Sequence, residues 1–232
     1  MVPKGVEHTG LFFTGTDTGV GKTIVACAVA RALRRRGERV RVCKPVATGA
    51  GWNGERWLSD DTCKLSEAAG DADHAAITPW ALPEPAAPPV AARLSGVTLS
   101  LPEMVEAVRR RADESGTLLV EGVGGLLCPL TDRETVADFA AELRLPLVVV
   151  ARRSLGTLNH TLLTLEVARR RGLPVAGVVV SETAPPRGAA EETNVEELRK
   201  RLDVPLLAVV AHGAADAAEL GRVDWRRLAG AT

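Results

Sequence analysis

The 232-residue sequence has no excess of either charge, with 29 Lys and Arg against 29 Asp and Glu. A balanced chain carries no global field toward nucleic acid or an anionic membrane, so neither partner is expected. No apolar run is long enough to span a bilayer, and the N-terminus lacks the basic-then-apolar plan of a signal peptide. The corresponding expectation is a cytoplasmic protein. Cys27, Cys43, Cys63 and Cys128 form no C-x-x-C pair and stand at no zinc-like spacing from histidine. Reduced thiols, buried or half-buried, are therefore expected, rather than a disulfide framework or a zinc site. No internal repeat is present. The length suits one large α/β domain, or two small ones, with ample core.

The chemistry starts in GLFFTGTDTGVGKTIVACAVARALRRRGERV, Gly10 to Val40. Leu11 to Thr14 read as a buried strand and Thr23 to Arg36 as a helix closed by Gly37. Between them lies a glycine-rich loop, Gly15 to Gly21. A strand that enters a helix through such a loop presents several backbone N–H groups and the positive end of a helix dipole to one point. Lys22 is placed to reach the β- and γ-phosphates of a nucleotide, and the Thr23 hydroxyl to bind magnesium. The spacing departs from G-x-x-x-x-G-K-[ST], because position 16 is Thr16 and Gly15 comes one residue early. The strand, loop and helix context still points to a nucleoside triphosphate site.

Further apolar runs follow at Val40–Cys43, Thr117–Val120, Leu147–Val150, Val175–Val180 and Leu206–Val210. Helical periods separate them at Pro102–Glu114, Val136–Leu143, Leu158–Arg171 and Ala189–Leu202. Continuously apolar strands alternating with helices imply a mostly parallel sheet covered on both faces, whose ligands collect beyond the carboxyl ends of the strands. The segment Thr78 to Pro89, TPWALPEPAAPP, is too proline-rich for a helix or a central strand; it either wraps the surface near the site or acts as a spacer.

Strand ends then carry the argument. Val40–Cys43 runs into Lys44-Pro45-Val46-Ala47-Thr48-Gly49, and the proline aims Lys44 toward the phosphate loop. The run ending at Val120 leads into Glu121-Gly122-Val123-Gly124-Gly125, where Glu121 is a candidate magnesium ligand among glycines that let backbone pass near a ligand. Asp60 and Asp61 precede a helical stretch, one of them expected to be its N-cap. A lysine, a phosphate loop and hard oxygen ligands describe phosphoryl transfer. They leave open whether the protein is a magnesium-dependent enzyme or a switch.

Four stretches in order, TGTDTGVGKT, KPVATG, VEGVGGLLCPL and LGTLNHTLLTLE, make the chain from about Leu11 to Val210 similar to the dethiobiotin synthetase family. The phosphate loop is shared by a large superfamily; the lysine, E-G-x-G-G and L-G-x-x-N-H motifs together are specific. The resemblance implies one domain over residues 1–232, with a P-loop NTPase fold and a central sheet of about seven strands. It also implies ATP-dependent ring closure of 7,8-diaminononanoate with CO2, through a carbamate that ATP phosphorylates. Lys44, Lys22 and Thr18 match the catalytic positions, and Thr48 a hydroxyl near the substrate. Magnesium would be held by Thr23, Glu121 and Asp61, with Asp60 as the fallback.

On the same resemblance, Gly19, Val20, Gly21, Lys22, Thr23 and Ile24 surround the nucleotide phosphates, together with Asp61, Glu121, Gly122, Val123 and Gly124. The base would lie against Ser181, Glu182, Ala211, His212 and Gly213. The family places Gly156, Thr157, Leu158 and Asn159 of a second subunit on the substrate carboxylate, so a homodimer with its site at the interface is implied. Two departures stand out. Gly19 replaces a frequent acidic residue, and Ser181 replaces an asparagine that reads adenine. Nucleotides other than ATP are therefore expected to serve. The rival readings are a cobyrinate-type amidoligase, for whose glutaminase domain no room remains, and a partitioning ATPase. The latter's signature lysine is missing at Thr16 and Asp17, and VDWRRLAGAT is a poor membrane helix.

Overall fold

Strands this apolar have no face for water, and the chain stacks them side by side under helices on both sides. The computed structural model describes residues 9–112, 116–214 and 218–230. The first half runs β1 (Gly10–Gly15), α1 (Lys22–Arg35), β2 (Val40–Cys43), β3 (Val46–Thr48), β4 (Gly51–Trp52), β5 (Trp57–Leu58), α2 (Asp60–Ala69) and α3 (His74–Ile77). It continues through β6 (Trp80–Leu82), α4 (Pro88–Leu94), α5 (Leu101–Arg111), β7 (Thr117–Gly125) and α6 (Val136–Leu143). The last third holds β8 (Leu147–Arg152), α7 (Thr157–Arg170), β9 (Val175–Ser181), α8 (Ala189–Arg201), β10 (Leu206–Val210), α9 (Ala218–Gly221) and α10 (Trp225–Leu228). The end of the helix expected over Pro102 to Glu114 lies outside the described residues, as does the N-terminal stretch read for a signal peptide.

Among the described residues the main sheet has six strands in the order β10-β9-β8-β1-β7-β2, with every neighbouring pair parallel. The count is one below the seven or so expected, because the remaining short strands pair apart, β3 with β6 and β4 with β5. The chain leaves β1 for the edge strand β2, returns as β7, and only then crosses β1 to build β8, β9 and β10. Such a reversal opens a crevice beyond the carboxyl end of the central strand. Here that strand is β1, which runs straight into the glycine-rich loop.

Residues alternate across the sheet. Leu11 and Phe13 of β1, Val42, Leu119, Val148 and Val150 pack toward α1, with Val25, Val29 and Leu33 at helical spacing. Phe12, Val120 and Leu147 face the other way, into Met104 and Val108 of α5 and Phe139 of α6. The Phe12 and Phe139 rings meet edge to face, with centroids 5.7 Å apart. Removing the Phe12 ring would cost about 3–5 kcal/mol. The glycine-rich loop thus hangs from a strand that cannot shift.

The proline-rich segment turns out to be structured. Trp80–Leu82 pairs in parallel with Val46–Thr48, and Trp80 N–H donates to the Pro45 carbonyl at 3.0 Å. It wraps alongside the strand end that carries Lys44. The expectation that it contains no helix needs correcting, because Pro88 and Pro89 open α4. There the missing N–H groups have no helical partner to lose. At the C-terminal end, Trp225 is fully buried and its indole N–H donates to the Leu220 carbonyl at 2.7 Å. Trp225 and Ala229 of α10 and its cap pack into the core, whereas Arg226 and Arg227 stay exposed. Among the described residues no helix is long and apolar enough to cross a membrane. The cysteines are free, and burial pushes the Cys27 and Cys43 thiols up to about 12. Cys63 departs from expectation by lying exposed on α2.

Candidate active site

The loop after β1 is bent by two left-handed glycines, Gly19 (φ 68°) and Gly21 (φ 96°). A side chain at Gly21 would also have no room, since its Cβ would come 2.4 Å from Ser181 Oγ. Val20 is buried and pins the loop, whereas Asp17, Thr18 and Gly19 are exposed. Lys22 folds back over the loop, its ammonium donating to the Asp17 carbonyl at 3.1 Å. Burial presses that ammonium below lysine's ordinary pKa, against the pull of the Glu121 charge.

Beside it lies a buried charge cluster. Lys44 is 5% exposed and donates to Glu121 Oε1 at 2.7 Å and to Asp61 Oδ2. Its burial opposes the charge, but the two carboxylates outweigh that and hold its pKa above the ordinary value. Asp61 is the mirror case. Burial would raise its carboxyl, yet Lys44 and the Thr23 hydroxyl keep it below the usual range. Thr23 Oγ1 donates to Glu121 Oε1 at 2.9 Å. Glu121 is almost fully buried, and its second oxygen, Oε2, has no partner among the described residues.

β7 continues past Glu121 to Gly125, further than the sequence suggested, with Phe13 opposite Glu121 and Gly15 opposite Gly125. Glu121 is therefore inside a strand, but one residue beyond the point where β2 stops pairing at Cys43 and Val120. That gap in the sheet edge is where Lys44 enters. The aspartates also need a correction. Neither is the helix cap; Ser59 is extended and its hydroxyl accepts the Thr62 N–H at 3.1 Å. Asp60 and Asp61 occupy the first turn, where negative charge suits the helix dipole. Asp60 is exposed, and Asp61 turns toward Lys44.

One cavity of about 620 Å³ joins these groups, lined among others by Thr18, Gly19, Gly21, Lys22, Thr23, Ile24, Lys44, Thr48, Asp61, Glu121, Val123 and Gly124. Ser181, Glu182, Ala211, His212 and Gly213 line it as well. Val20 and Gly122 lie behind the lining: Val20 is buried, and Gly122 packs against Phe12 and Val136. Gly156, Thr157, Leu158 and Asn159 are not brought to this cavity within the chain. Asn159 borders a separate groove with Leu162, Leu163, Glu166 and Arg169.

Several lining residues escaped sequence reasoning. Lys64 and Thr183 reach the cavity; Lys64 stands one helical turn after Asp61, a spacing that places both on one face. Arg153 was also missed. Its guanidinium pairs with Glu182 and donates to the Glu191 carbonyl at 2.6 Å. Glu182 in turn accepts the His212 N–H at 3.2 Å. The pair of arginines after the VVVA run was the available signal, since it lies at a strand end.

Comparison with known proteins adds a name to this geometry. A family model described as an AAA domain matches residues 9–214. The chain is 48% identical over 192 residues to the ATP-dependent dethiobiotin synthetase BioD of Anaeromyxobacter dehalogenans strain 2CP-C, covering 82% of this chain and 84% of that one. It is 42% identical over 216 residues to the protein of the same name from Aromatoleum aromaticum, covering 92% and 96%. Among solved structures, the MinC:MinD cell division complex of Aquifex aeolicus matches at a TM-score of 0.55 and 14% identity, covering 96% of both chains. A ParA family ATPase from Chlorobium tepidum matches at 0.53 and 14%, again covering 96% of each. The structural likenesses show a P-loop NTPase fold. The sequence likenesses show more: this chain belongs to the dethiobiotin synthetase family.

Proposed function

We propose that the protein closes a cyclic urea on 7,8-diaminononanoate with CO2 and ATP, giving dethiobiotin, ADP and phosphate in biotin biosynthesis. The observation that carries this reading is the buried cluster of Lys44, Glu121, Asp61 and Thr23 opening into the same cavity as the phosphate loop. One substrate amine takes up CO2 as a carbamate and loses a proton. A carbamate oxygen attacks the terminal phosphorus and ADP leaves. The second amine then attacks the carbamate carbon and loses a proton, closing the ring as the C–O bond to phosphate breaks and phosphate leaves.

Each step asks little covalent chemistry of the protein and much of its charges. The loop amides from Gly19 to Thr23 and the Lys22 ammonium would hold the triphosphate. Lys44 would offset charge on the carbamate and on the transferring phosphoryl group, with Thr18 and Thr48 beside the reacting end. The residues present fit a magnesium ion, because buried Glu121 Oε2 has no partner among the described residues and Thr23 and Asp61 supply hard oxygens beside the same lysine and glutamate. Two carboxylates and a hydroxyl are a small set, which suits magnesium because it retains water and takes phosphate oxygens as further ligands. When bound, the ion would neutralise phosphate charge.

Two further elements belong to the proposal. The base would rest against Ser181, Glu182 and the backbone from Ala211 to Gly213. Ser181 stands where the family has an asparagine, so one short hydroxyl replaces an amide's double hydrogen bond and selectivity among nucleotides is low. A second subunit would bring Gly156 to Asn159 to the substrate carboxylate. Leu155 is 85% exposed and Leu163 56%, which supports an apolar contact around that segment. A cytoplasmic location goes with this pathway. The test is phosphate release from magnesium-ATP and bicarbonate, with and without the diamine. Release that is equal in both would favour a switch ATPase and remove the proposal.

A further inference from the structure

Arg152 closes β8 at the carboxyl edge of the sheet, paired in register with Ser181 and next to β1 in the strand order. From there its guanidinium reaches the exposed tip of the phosphate loop. Nη2 donates to the Thr18 carbonyl at 3.0 Å and lies 3.6 Å from where a Cβ on Gly19 would sit. Nε is buried with no acceptor among the described residues. No carboxylate pairs with Arg152 among the described residues, in contrast to Arg153, which is committed to Glu182 and to α8 carbonyls. One carbonyl satisfies one of five N–H donors and none of the charge.

Lys22 rests on the Asp17 carbonyl and Arg152 on the Thr18 carbonyl. Two cations therefore hold consecutive carbonyls of one loop, and the one at Arg152 has a planar fork suited to phosphate. We propose that Arg152 is a further cation for the terminal phosphoryl group of the nucleotide, acting beside Lys22 and Lys44. The Thr18 contact aims the guanidinium, and the phosphoryl oxygens take its free Nη donors. The proposal rests on the nucleoside triphosphate reading of the cavity.

The experiment titrates the full-length protein, its R152Q and its R152K variants with magnesium-ADP and with the magnesium complex of a β,γ-imido ATP analogue. R152Q is expected to weaken the analogue by at least about tenfold while ADP affinity stays within about twofold. R152K, which keeps the charge but not the fork, should fall between, and it carries the test if R152Q does not fold. Equal weakening of both nucleotides would overturn the proposal, since a residue that merely fastens the loop affects every phosphate. Unchanged nucleotide binding with a raised KM for the diamine would overturn it too, by assigning the cation to the other substrate. Wild-type protein that binds neither nucleotide would instead sink the reading of the cavity itself.

Discussion

Replacing Lys44 with methionine keeps much of the side-chain stem and deletes one charge from a place that has no water to replace it. Glu121, whose side chain is 1% exposed, then loses the cation 2.7 Å away. Removing one partner of a buried pair costs about 3–5 kcal/mol, because the remaining charge is left uncompensated. Asp61 adds little, since its side chain is 37% exposed and solvent screens it. For a domain of this size each kcal/mol lowers Tm by about 2–4 °C, so a fall of roughly 6–12 °C is expected even at the low end. Sequence reasoning put Lys44 at a strand end beside the phosphate loop. Its burial adds this stability cost. Thermal melts with and without magnesium-ADP are the assay, because the ion should restore part of the lost charge balance. Turnover should fall at least about a hundredfold, on the order of 3 kcal/mol. A variant melting within about 2 °C of wild type, with no greater response to magnesium, would refute the view that Lys44 balances Glu121.

Other consequences are smaller in scope. Asp71 accepts from Arg111 and, at 3.3 Å, from Arg41. Burial would raise its carboxyl, but the Asp73 N–H and the Arg111 guanidinium hold it below the usual range. A depressed carboxyl contributes stability that is present above the unfolded value, near pH 4, and is lost as pH falls below it. Asp71→Asn should therefore lower Tm at pH 7 and flatten the fall in Tm below about pH 4; an unchanged acid limb would count against the pair. Gly21→Ala should raise KM for the nucleotide by at least about tenfold, because φ 96° and Ser181 Oγ both oppose a Cβ. Wild-type nucleotide affinity would show that the loop adapts. Thr23→Val, Glu121→Gln and Asp61→Asn should each raise the magnesium concentration needed for half-maximal turnover, while Asp60→Asn should not. The reverse result for the two aspartates would move the ligand by one residue.

Much of the fold was legible because its signals are local. Leu11 to Thr14 cannot face water, and glycines followed by Lys22 and Thr23 have few other uses. Lys44 and Glu121 stood out once strand ends were read as site positions. The cap at Ser59 was missed because serine, aspartate and aspartate in a row are all good caps, and only backbone angles separate them. The pairing of Trp80 to Leu82 with Val46 to Thr48 is a long-range contact between segments without alternation, so no local pattern announces it. Ser181 read as a residue facing the base; its packing under Gly21 follows from the close approach of β9 to the loop. Arg152 and Arg153 look alike in sequence. What distinguishes them is that Glu182 lies beside one and, among the described residues, no carboxylate pairs with the other.

The central claim is that a carbon atom from bicarbonate enters a ring at the expense of one ATP. The most direct measurement supplies carbon-13 bicarbonate, magnesium-ATP and the diamine, and follows the product by mass spectrometry alongside phosphate release. The account predicts a cyclic urea carrying one labelled carbonyl for each phosphate released, and none without the diamine. Phosphate released with no labelled product would contradict it.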